Sequence, residues 1–365
     1  MDGSDPTGAG RRPPVLPEVL LRRASAPCAS APGGAAGRPS PGFARAGAGR
    51  FAPIAAWGGI LVQLLYPALD GVALRAATLG SVALFAVACA AHVLALHGPA
   101  VALRVITTAC GIGLVLETIG LRTGFPFGSY TYSASLGPQV FGVPLIVPLA
   151  WLTISWPCLV LARRPAGGAG GGLRGRARTA SIGAAGMAAW DLFWDPQLVA
   201  AGHWTWSHPH PGLPGVDGVP LTNAVGWLLG GFLLTALLDL VVPRSRPEDR
   251  AEPRRRRVRA GEGGRGRRLS VRGHDVVPAL LLTWTWAGSV LANLVFFGEP
   301  ALAGYGALAL GATVLPYLRS LAGEDAPAPP GGQTPDREAP SPEPRDRGVR
   351  GGAPGGPVGT GTGPL

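Results

Sequence analysis

The chain alternates long apolar runs with short polar connections, a pattern that is typical of membrane-spanning helices. A helix needs roughly 20 apolar residues to cross the hydrocarbon core of a bilayer. Runs near that length cover about 51–69, 73–96, 100–121, 140–162, 179–201, 219–242, 275–297 and 300–321. Because the last run is short and rich in glycine, seven spans remain an alternative to eight. We therefore predict an all-α, polytopic transmembrane helical bundle over residues 51–321.

Composition supports a membrane protein and argues against a nucleic-acid-binding one. The chain is 47% hydrophobic and 15% charged, whereas an ordinary soluble protein is about 25% charged. Its net charge is +11, but the arginines lie between the apolar runs rather than on a folded basic domain. Cationic loops at a cytoplasmic membrane surface explain these arginines, so no nucleic-acid partner is expected.

The arginines also predict an orientation in the cell membrane. Seven lie in residues 1–50, five in the loop after the fourth run and twelve in residues 243–274, whereas the connections after the third and fifth runs hold one and none. By the positive-inside rule, both termini and the arginine-rich loops are cytoplasmic. The connections after the third and fifth runs then face outward.

Three segments outside the apolar runs have compositions that do not predict a folded domain. Residues 1–50 are rich in Gly, Ala, Pro, Ser and Arg and are predicted to be a disordered arm, with a transit peptide as the alternative. Residues 322–365 are predicted to be a disordered tail. The loop 243–274 could bind anionic lipid headgroups through Arg254–Arg257, although a solvated loop is the favoured interpretation.

Three acidic residues near the ends of apolar runs are the candidate catalytic residues. Asp191 and Asp195 are four apart and share one face of a helix. Because two carboxylates in an apolar pocket cannot both ionise cheaply, one is expected to stay neutral and able to donate a proton. The bond from Asp195 to Pro196 predicts a break in the helix there. In the structural alternative, one aspartate caps a helix end and the other pairs with an arginine. Glu117 is either a third acid of the site or the ion-pair partner of Arg122.

The segment after Glu117 is rich in turn and aromatic residues and is a poor candidate for a helix. Tyr130 and Tyr132 alternate, so both could point the same way, and Phe127 lies close by in sequence. Aromatic faces stabilise a cation by about 0.5–2 kcal/mol, which indicates a binding surface. An aromatic belt at the membrane interface is the alternative interpretation.

The connection after the fifth run combines tryptophan and histidine. Trp204 and Trp206 either roof a pocket or anchor the chain at the membrane interface. His203, His208 and His210 lack the spacing of familiar metal sites, and the neighbouring prolines keep them off a helix face. No metal is expected there.

Two polar residues of the sixth run have different predicted roles. Asn223 lies near the start of the run, where capping is the default role and a hydrogen-bonding pocket residue is the alternative. Asp239 lies at the opposite, cytoplasmic end and is predicted to pair with nearby arginines.

Three motifs occur in a fixed order: ETIGLRTGFPFGSYTY at 117–132, AWDLFWDP at 189–196 with HWTW at 203–206, and PLTNAVGW at 220–227. Together they resemble the carotenoid biosynthesis membrane proteins of the CruF type, over roughly residues 57–242. That family consists of carotenoid 1,2-hydratases, including bisanhydrobacterioruberin hydratases. The resemblance implies a membrane enzyme that needs no cofactor and hydrates the terminal C=C bond of an acyclic carotenoid.

The resemblance also frames the expected roles of the candidate residues. An acid would protonate the alkene to a tertiary carbocation, to which water adds. Asp191 or Asp195 is the expected proton donor, with the other aspartate and Glu117 tuning it or positioning water. The expected substrate-binding residues are Phe127, Tyr130, Tyr132, Trp204, Trp206 and Asn223. Expected partners are the acyclic polyene, membrane lipid, and pathway enzymes such as a carotenoid glycosyltransferase or elongase.

Three other classes of protein share parts of this pattern. The DxxxD spacing is also found in membrane prenyltransferases, but those have a second Asp-rich motif, which this sequence lacks. A membrane lycopene cyclase also protonates an isoprenoid alkene and differs in quenching the cation with a neighbouring double bond. A transporter would show two related halves, whereas here the acids gather at one membrane face.

Overall fold

The computed structural model describes residues 41–164, 172–244 and 275–324, and these residues form a bundle of eight long helices. The predicted all-α helical bundle is confirmed, and each apolar run corresponds to one helix. The arginine run at Arg254–Arg257 lies outside the described residues, as do most of the arm and tail. The helices are α1 Pro41–Leu64, α2 Gly71–His97, α3 Pro99–Thr123, α4 Ile146–Arg163, α5 Leu173–Ala200, α6 Leu221–Val241, α7 Val276–Phe297 and α8 Pro300–Glu324.

Seven of the eight helices in the described ranges are long and apolar enough to cross a membrane. The exception is α5, which carries three arginines in its first turns and both candidate aspartates. With 28 residues it is about 42 Å long at 1.5 Å per residue, which is enough to cross a hydrocarbon core of about 30 Å. Because α5 packs against α4, α6 and α8, its polar residues can face protein rather than lipid. The chain is a multi-pass membrane protein.

Two helix boundaries differ from the prediction. Helix α1 begins at Pro41, inside the segment 1–50 that was expected to be disordered, because proline suits the first position of a helix and the following Ala and Arg residues favour helix. The predicted break at Asp195 is wrong, since α5 continues through Pro196 to Ala200. Proline is tolerated in membrane helices where neighbouring groups satisfy the freed backbone.

Short strands occupy the loops at one end of the bundle. They are β1 Tyr130–Tyr132, β2 Gln139–Val140, β3 Val143–Pro144 and β4 Trp204–Trp206. The pair β2–β3 forms where the fourth span was predicted to begin at 140, so that start is wrong. Gly137 and Gly142 have φ of 85° and 88°, conformations that glycine adopts without steric cost, and they turn the chain before α4 begins at Ile146.

Salt bridges hold the opposite end of the bundle together. The fully buried Asp239 carboxylate binds Arg163 at 2.9 Å, Arg176 at 3.1 Å and Arg244 at 2.7 Å. The predicted pairing of Asp239 with nearby arginines is therefore confirmed. Because these arginines come from the end of α4, the start of α5 and the residues after α6, the cluster ties three helices together far from the strands.

Candidate functional site

The motifs that are separate in sequence meet through a two-stranded antiparallel sheet. Strand β1 pairs with β4 so that Tyr130 lies opposite Trp206 and Tyr132 opposite Trp204. Side chains alternate along a strand, so these four aromatic residues share one face while the intervening threonines point away. The alternation of Tyr130 and Tyr132 in sequence therefore predicted their common direction correctly. The loops after α3 and α5 consequently lie at the same end of the bundle.

Beneath this sheet lies a largely apolar cavity with an empty volume of about 710 Å³. All nine residues that the sequence proposes for catalysis or binding line this cavity: Glu117, Phe127, Tyr130, Tyr132, Asp191, Asp195, Trp204, Trp206 and Asn223.

The two aspartates form a buried pair in the cavity wall. Asp191 is 4% and Asp195 6% exposed, and their carboxyl groups are within hydrogen-bonding contact of each other. Such a contact requires one proton between the two carboxyls, because an ionised carboxylate only accepts. The amide of Asn223 donates to Asp191 Oδ2 at 2.9 Å and also to Asp195 Oδ2. Within residues 41–164, 172–244 and 275–324, neither aspartate caps a helix end or pairs with an arginine, and Asn223 lines the pocket and makes no side-chain cap.

Glu117 is the third acid of the cavity and is not held by Arg122, which is exposed. Three donors converge on it: Tyr130 Oη at 2.5 Å and Tyr132 Oη at 2.8 Å donate to Oε2, and Trp151 Nε1 donates to Oε1 at 3.0 Å. A carboxylate accepts on both oxygens, so the ionised form of Glu117 satisfies all three donors at once.

The two phenols that bind Glu117 stay protonated. Burial raises the pKa of Tyr130 and of Tyr132 above the ordinary value for tyrosine, and the neighbouring Glu117 charge adds to the effect. Both hydroxyl groups therefore remain donors across the physiological pH range.

Stacked and edge-on aromatic rings form the remaining cavity wall. Trp151 of α4 stacks on Trp227 of α6, with ring centroids 4.5 Å apart and planes 14° from parallel. The ring of Phe127 packs edge-on against both. The negative face of an aromatic ring attracts a cation, so a positive charge that forms in this cavity is stabilised by several rings together.

Three lining tryptophans, Trp151, Trp194 and Trp227, were not among the predicted site residues. In a membrane sequence an apolar span containing Trp looks like lipid-facing or core packing, and only the fold shows which face is inward. Trp227 ends the PLTNAVGW motif, four residues after Asn223. That spacing of one helical turn was the available signal, because it places both residues on one face.

The histidines of the α5–α6 loop take different positions. His203 is 6% exposed, and its Nδ1 lies 2.8 Å from Ser135 Oγ. Burial, and then repulsion by Arg75, lowers the pKa of His203. His208 and His210 are exposed and do not line the cavity. In the described ranges, no three His, Cys, Asp or Glu side chains are grouped as they would be to hold a metal ion.

Comparison with known proteins gives one family and one curated relative. A family model described as "Carotenoid biosynthesis protein" matches residues 77–259, which is half of the chain. The chain is 32% identical over 200 residues to the bisanhydrobacterioruberin hydratase of Haloarcula japonica. That alignment covers 53% of this chain and 58% of the relative, so the chain spans less than two thirds of its length. No solved structure matches. The matched segment contains all nine proposed residues.

Proposed function

This chain belongs to the carotenoid biosynthesis protein family, and on that premise we propose that it adds water to the terminal C=C bond of an acyclic carotenoid. The hydratase name of the similar Haloarcula japonica protein supports this reaction. The observation that carries the proposal is the buried pair Asp191 and Asp195 in the wall of an apolar, aromatic-lined cavity. A very apolar polyene partitions into the bilayer, where a multi-pass protein can receive it.

The aspartate pair supplies the proton. The CH carbon of the terminal C=C bond takes the proton that the two carboxyls share, and the positive charge develops on the other carbon of that bond, which is tertiary. Removing an acid from water into a site of low polarity keeps one carboxyl neutral, which is the state that general acid catalysis requires. The amide of Asn223 holds both carboxyls in place and fixes the direction in which the proton leaves.

Glu117 and the aromatic rings stabilise the cation. The carboxylate of Glu117 is fixed by three donors, so its negative charge is preorganised before the reaction begins. The stacked Trp151 and Trp227 present ring faces to the same cavity. A water oxygen then bonds to the tertiary carbon and loses one proton to the aspartate pair, which restores the acid. These groups provide the acid, base and electrostatic functions of hydration from the chain itself.

The proposed orientation places the site near the outer face of the cell membrane. The arginines that bind Asp239 lie at the end opposite the strands. The positive-inside rule assigns that end to the cytoplasm, together with both termini. Membrane lipid, and an enzyme that modifies the new hydroxyl group, are the proposed partners.

The test is to express the full chain in bacteria that accumulate lycopene or a longer acyclic carotenoid, and to analyse the extracted pigments by chromatography and mass. The proposal expects a product that is heavier by one or two waters. An isomer of unchanged mass would indicate a cyclase, in which a double bond quenches the cation. Unchanged pigments with every acyclic substrate would contradict an enzymatic role and favour the transporter class.

A further inference from the structure

A second, smaller cavity reaches the same aspartate pair from another side. It has an empty volume of about 340 Å³ and is lined by Asp191, Asp195 and Asn223 together with apolar side chains of α5, α6 and the loop between them. These three polar residues also line the large cavity. They therefore form a wall with one cavity on each side.

The geometry of the helices explains how one wall serves two cavities. Residues follow one another by about 100° around a helix, so Trp194 and Leu198 lie to one side of the α5 aspartates, and Leu192 and Pro196 lie to the other. The first two line only the large cavity and the second two only the small one.

On helix α6, Asn223 lines both cavities, Trp227 lines only the large one and Ala224 lines only the small one.

The two cavities differ in what they can hold. The large cavity is lined by aromatic rings and extends to the half-buried Leu79 of α2. The small cavity has about half that volume, and no aromatic residue in the described part of the chain lines it. The small cavity lies under Leu213–Leu221 of the α5–α6 loop, and Leu221 is 40% exposed. The small cavity therefore lies between the acid pair and the surface at the strand end of the bundle.

We infer that the small cavity is the entry route for the reacting water, which reaches the aspartate pair from the side opposite the polyene. This inference rests on the proposed hydration. The two cavities separate the two substrates by size and polarity. The polyene end group occupies the large aromatic cavity, and water approaches through the small cavity. Such a division keeps bulk water away from the carbocation until the acid pair delivers one molecule.

Narrowing the small cavity tests this route. Ala224 lines the small cavity but not the large one, so Ala224→Leu fills the small cavity alone. We expect the rate of hydration at saturating carotenoid to fall about tenfold or more, with the KM for the carotenoid unchanged. Ala236→Leu is the matched control, because Ala236 is also half-buried on α6 and lines neither cavity. Detergent-solubilised full-length protein is checked by size-exclusion chromatography so that loss of folding is recognised.

Widening the small cavity gives a second, independent readout. In buffer containing methanol, the methanol oxygen would bond to the tertiary carbon and lose its proton to the aspartate pair, which yields a methyl ether instead of the alcohol. Leu213→Ala enlarges the small cavity, and we expect the ratio of ether to alcohol to rise severalfold. Leu79→Ala is the matched control in the large cavity, and its ratio should equal that of the wild type.

The outcomes separate the two proposals. If the wild type forms no hydrated product, the proposed function and this inference both fail. If the wild type hydrates but Ala224→Leu keeps the wild-type rate, or Leu79→Ala raises the ether ratio while Leu213→Ala does not, then water enters through the large cavity. In that case the inference fails while the hydratase function stands.

Discussion

Replacing Glu117 by glutamine removes a charge from the cavity with little change in shape. The carboxylate accepts from the two tyrosines through Oε2 and from Trp151 through Oε1. The glutamine amide has only one oxygen that accepts hydrogen bonds, so it cannot replace both. If its oxygen faces Tyr130 and Tyr132, the amide nitrogen meets Trp151 Nε1, and two donors face each other. One buried donor without an acceptor costs about 1–3 kcal/mol, so we expect the variant to fold with a melting temperature lowered by a few degrees.

The expected effect of Glu117→Gln on the reaction is larger than its effect on stability. A carboxylate about 4–6 Å from a developing cation contributes roughly 3–4 kcal/mol at an effective dielectric constant near 20. Losing that stabilisation lowers the rate by about 100- to 1,000-fold. The assay is the initial rate of hydration in membranes supplied with an acyclic carotenoid, with product quantified by chromatography.

The matched control for this prediction is Glu299→Gln, since Glu299 is exposed between α7 and α8 and lies outside the cavity. It should hydrate at the wild-type rate. A threefold change in rate corresponds to less than about 1 kcal/mol of activation free energy. If the Glu117→Gln variant folds and its rate stays within about threefold of the wild type, Glu117 does not stabilise the cation electrostatically.

Three further substitutions probe other parts of the structure. Asn223→Leu removes the amide that both aspartates accept from, and a bond to a charged group is worth about 1.5–3 kcal/mol, so the hydration rate at saturating substrate should fall about 10- to 100-fold. Gly113→Ala places a Cβ 2.5 Å from Cγ of Trp151; the ring must move, and both the melting temperature and the rate should fall. Asp239→Asn leaves three arginines without their buried anion, a loss of about 3–5 kcal/mol, so less folded protein should be recovered while the product stays the same; Asp217→Asn, at an exposed site, is its control.

Each of these predictions has a contradicting result. A wild-type rate for Asn223→Leu would mean that the amide does not position the acids. A Gly113→Ala variant with unchanged stability and rate would show that the packed indole is free to shift. An Asp239→Asn variant as stable as its control would show that the salt bridges at that end do not hold the helices together.

The helical bundle could be predicted from sequence because bilayer thickness sets the length of each apolar run. The prediction was weakest where a run met a turn. Residues 140–145 look like part of a span because they are largely apolar, but Gly142 and the β2–β3 pair bend the chain there. Pro196 was expected to break α5, yet the helix continues, since the local preference of Asp195 is overridden by packing around the helix.

The candidate residues could be found from sequence because acids in apolar segments are costly and therefore conspicuous. The hydrogen-bond partners of these acids could not be found from sequence. From sequence, Glu117 was either a third acid of the site or the ion-pair partner of Arg122, and only the folded chain brings Tyr130, Tyr132 and Trp151 to it. The tryptophans of α4 and α6 carry no such signal, because an apolar residue in an apolar run has the same pattern whether it faces lipid or a cavity.

The most direct test of the account is the hydration rate of Asp191→Asn and of Asp195→Asn beside the wild type, with a substrate that the wild type hydrates. Because the two carboxyls share one proton and one amide donor, each single change should abolish the shared acid. General acid catalysis is worth about 100- to 10,000-fold, and both variants should lose activity in that range while remaining folded. If both folded variants hydrate within about threefold of the wild type, less than 1 kcal/mol of barrier, the aspartate pair is not the proton donor and the central claim is wrong.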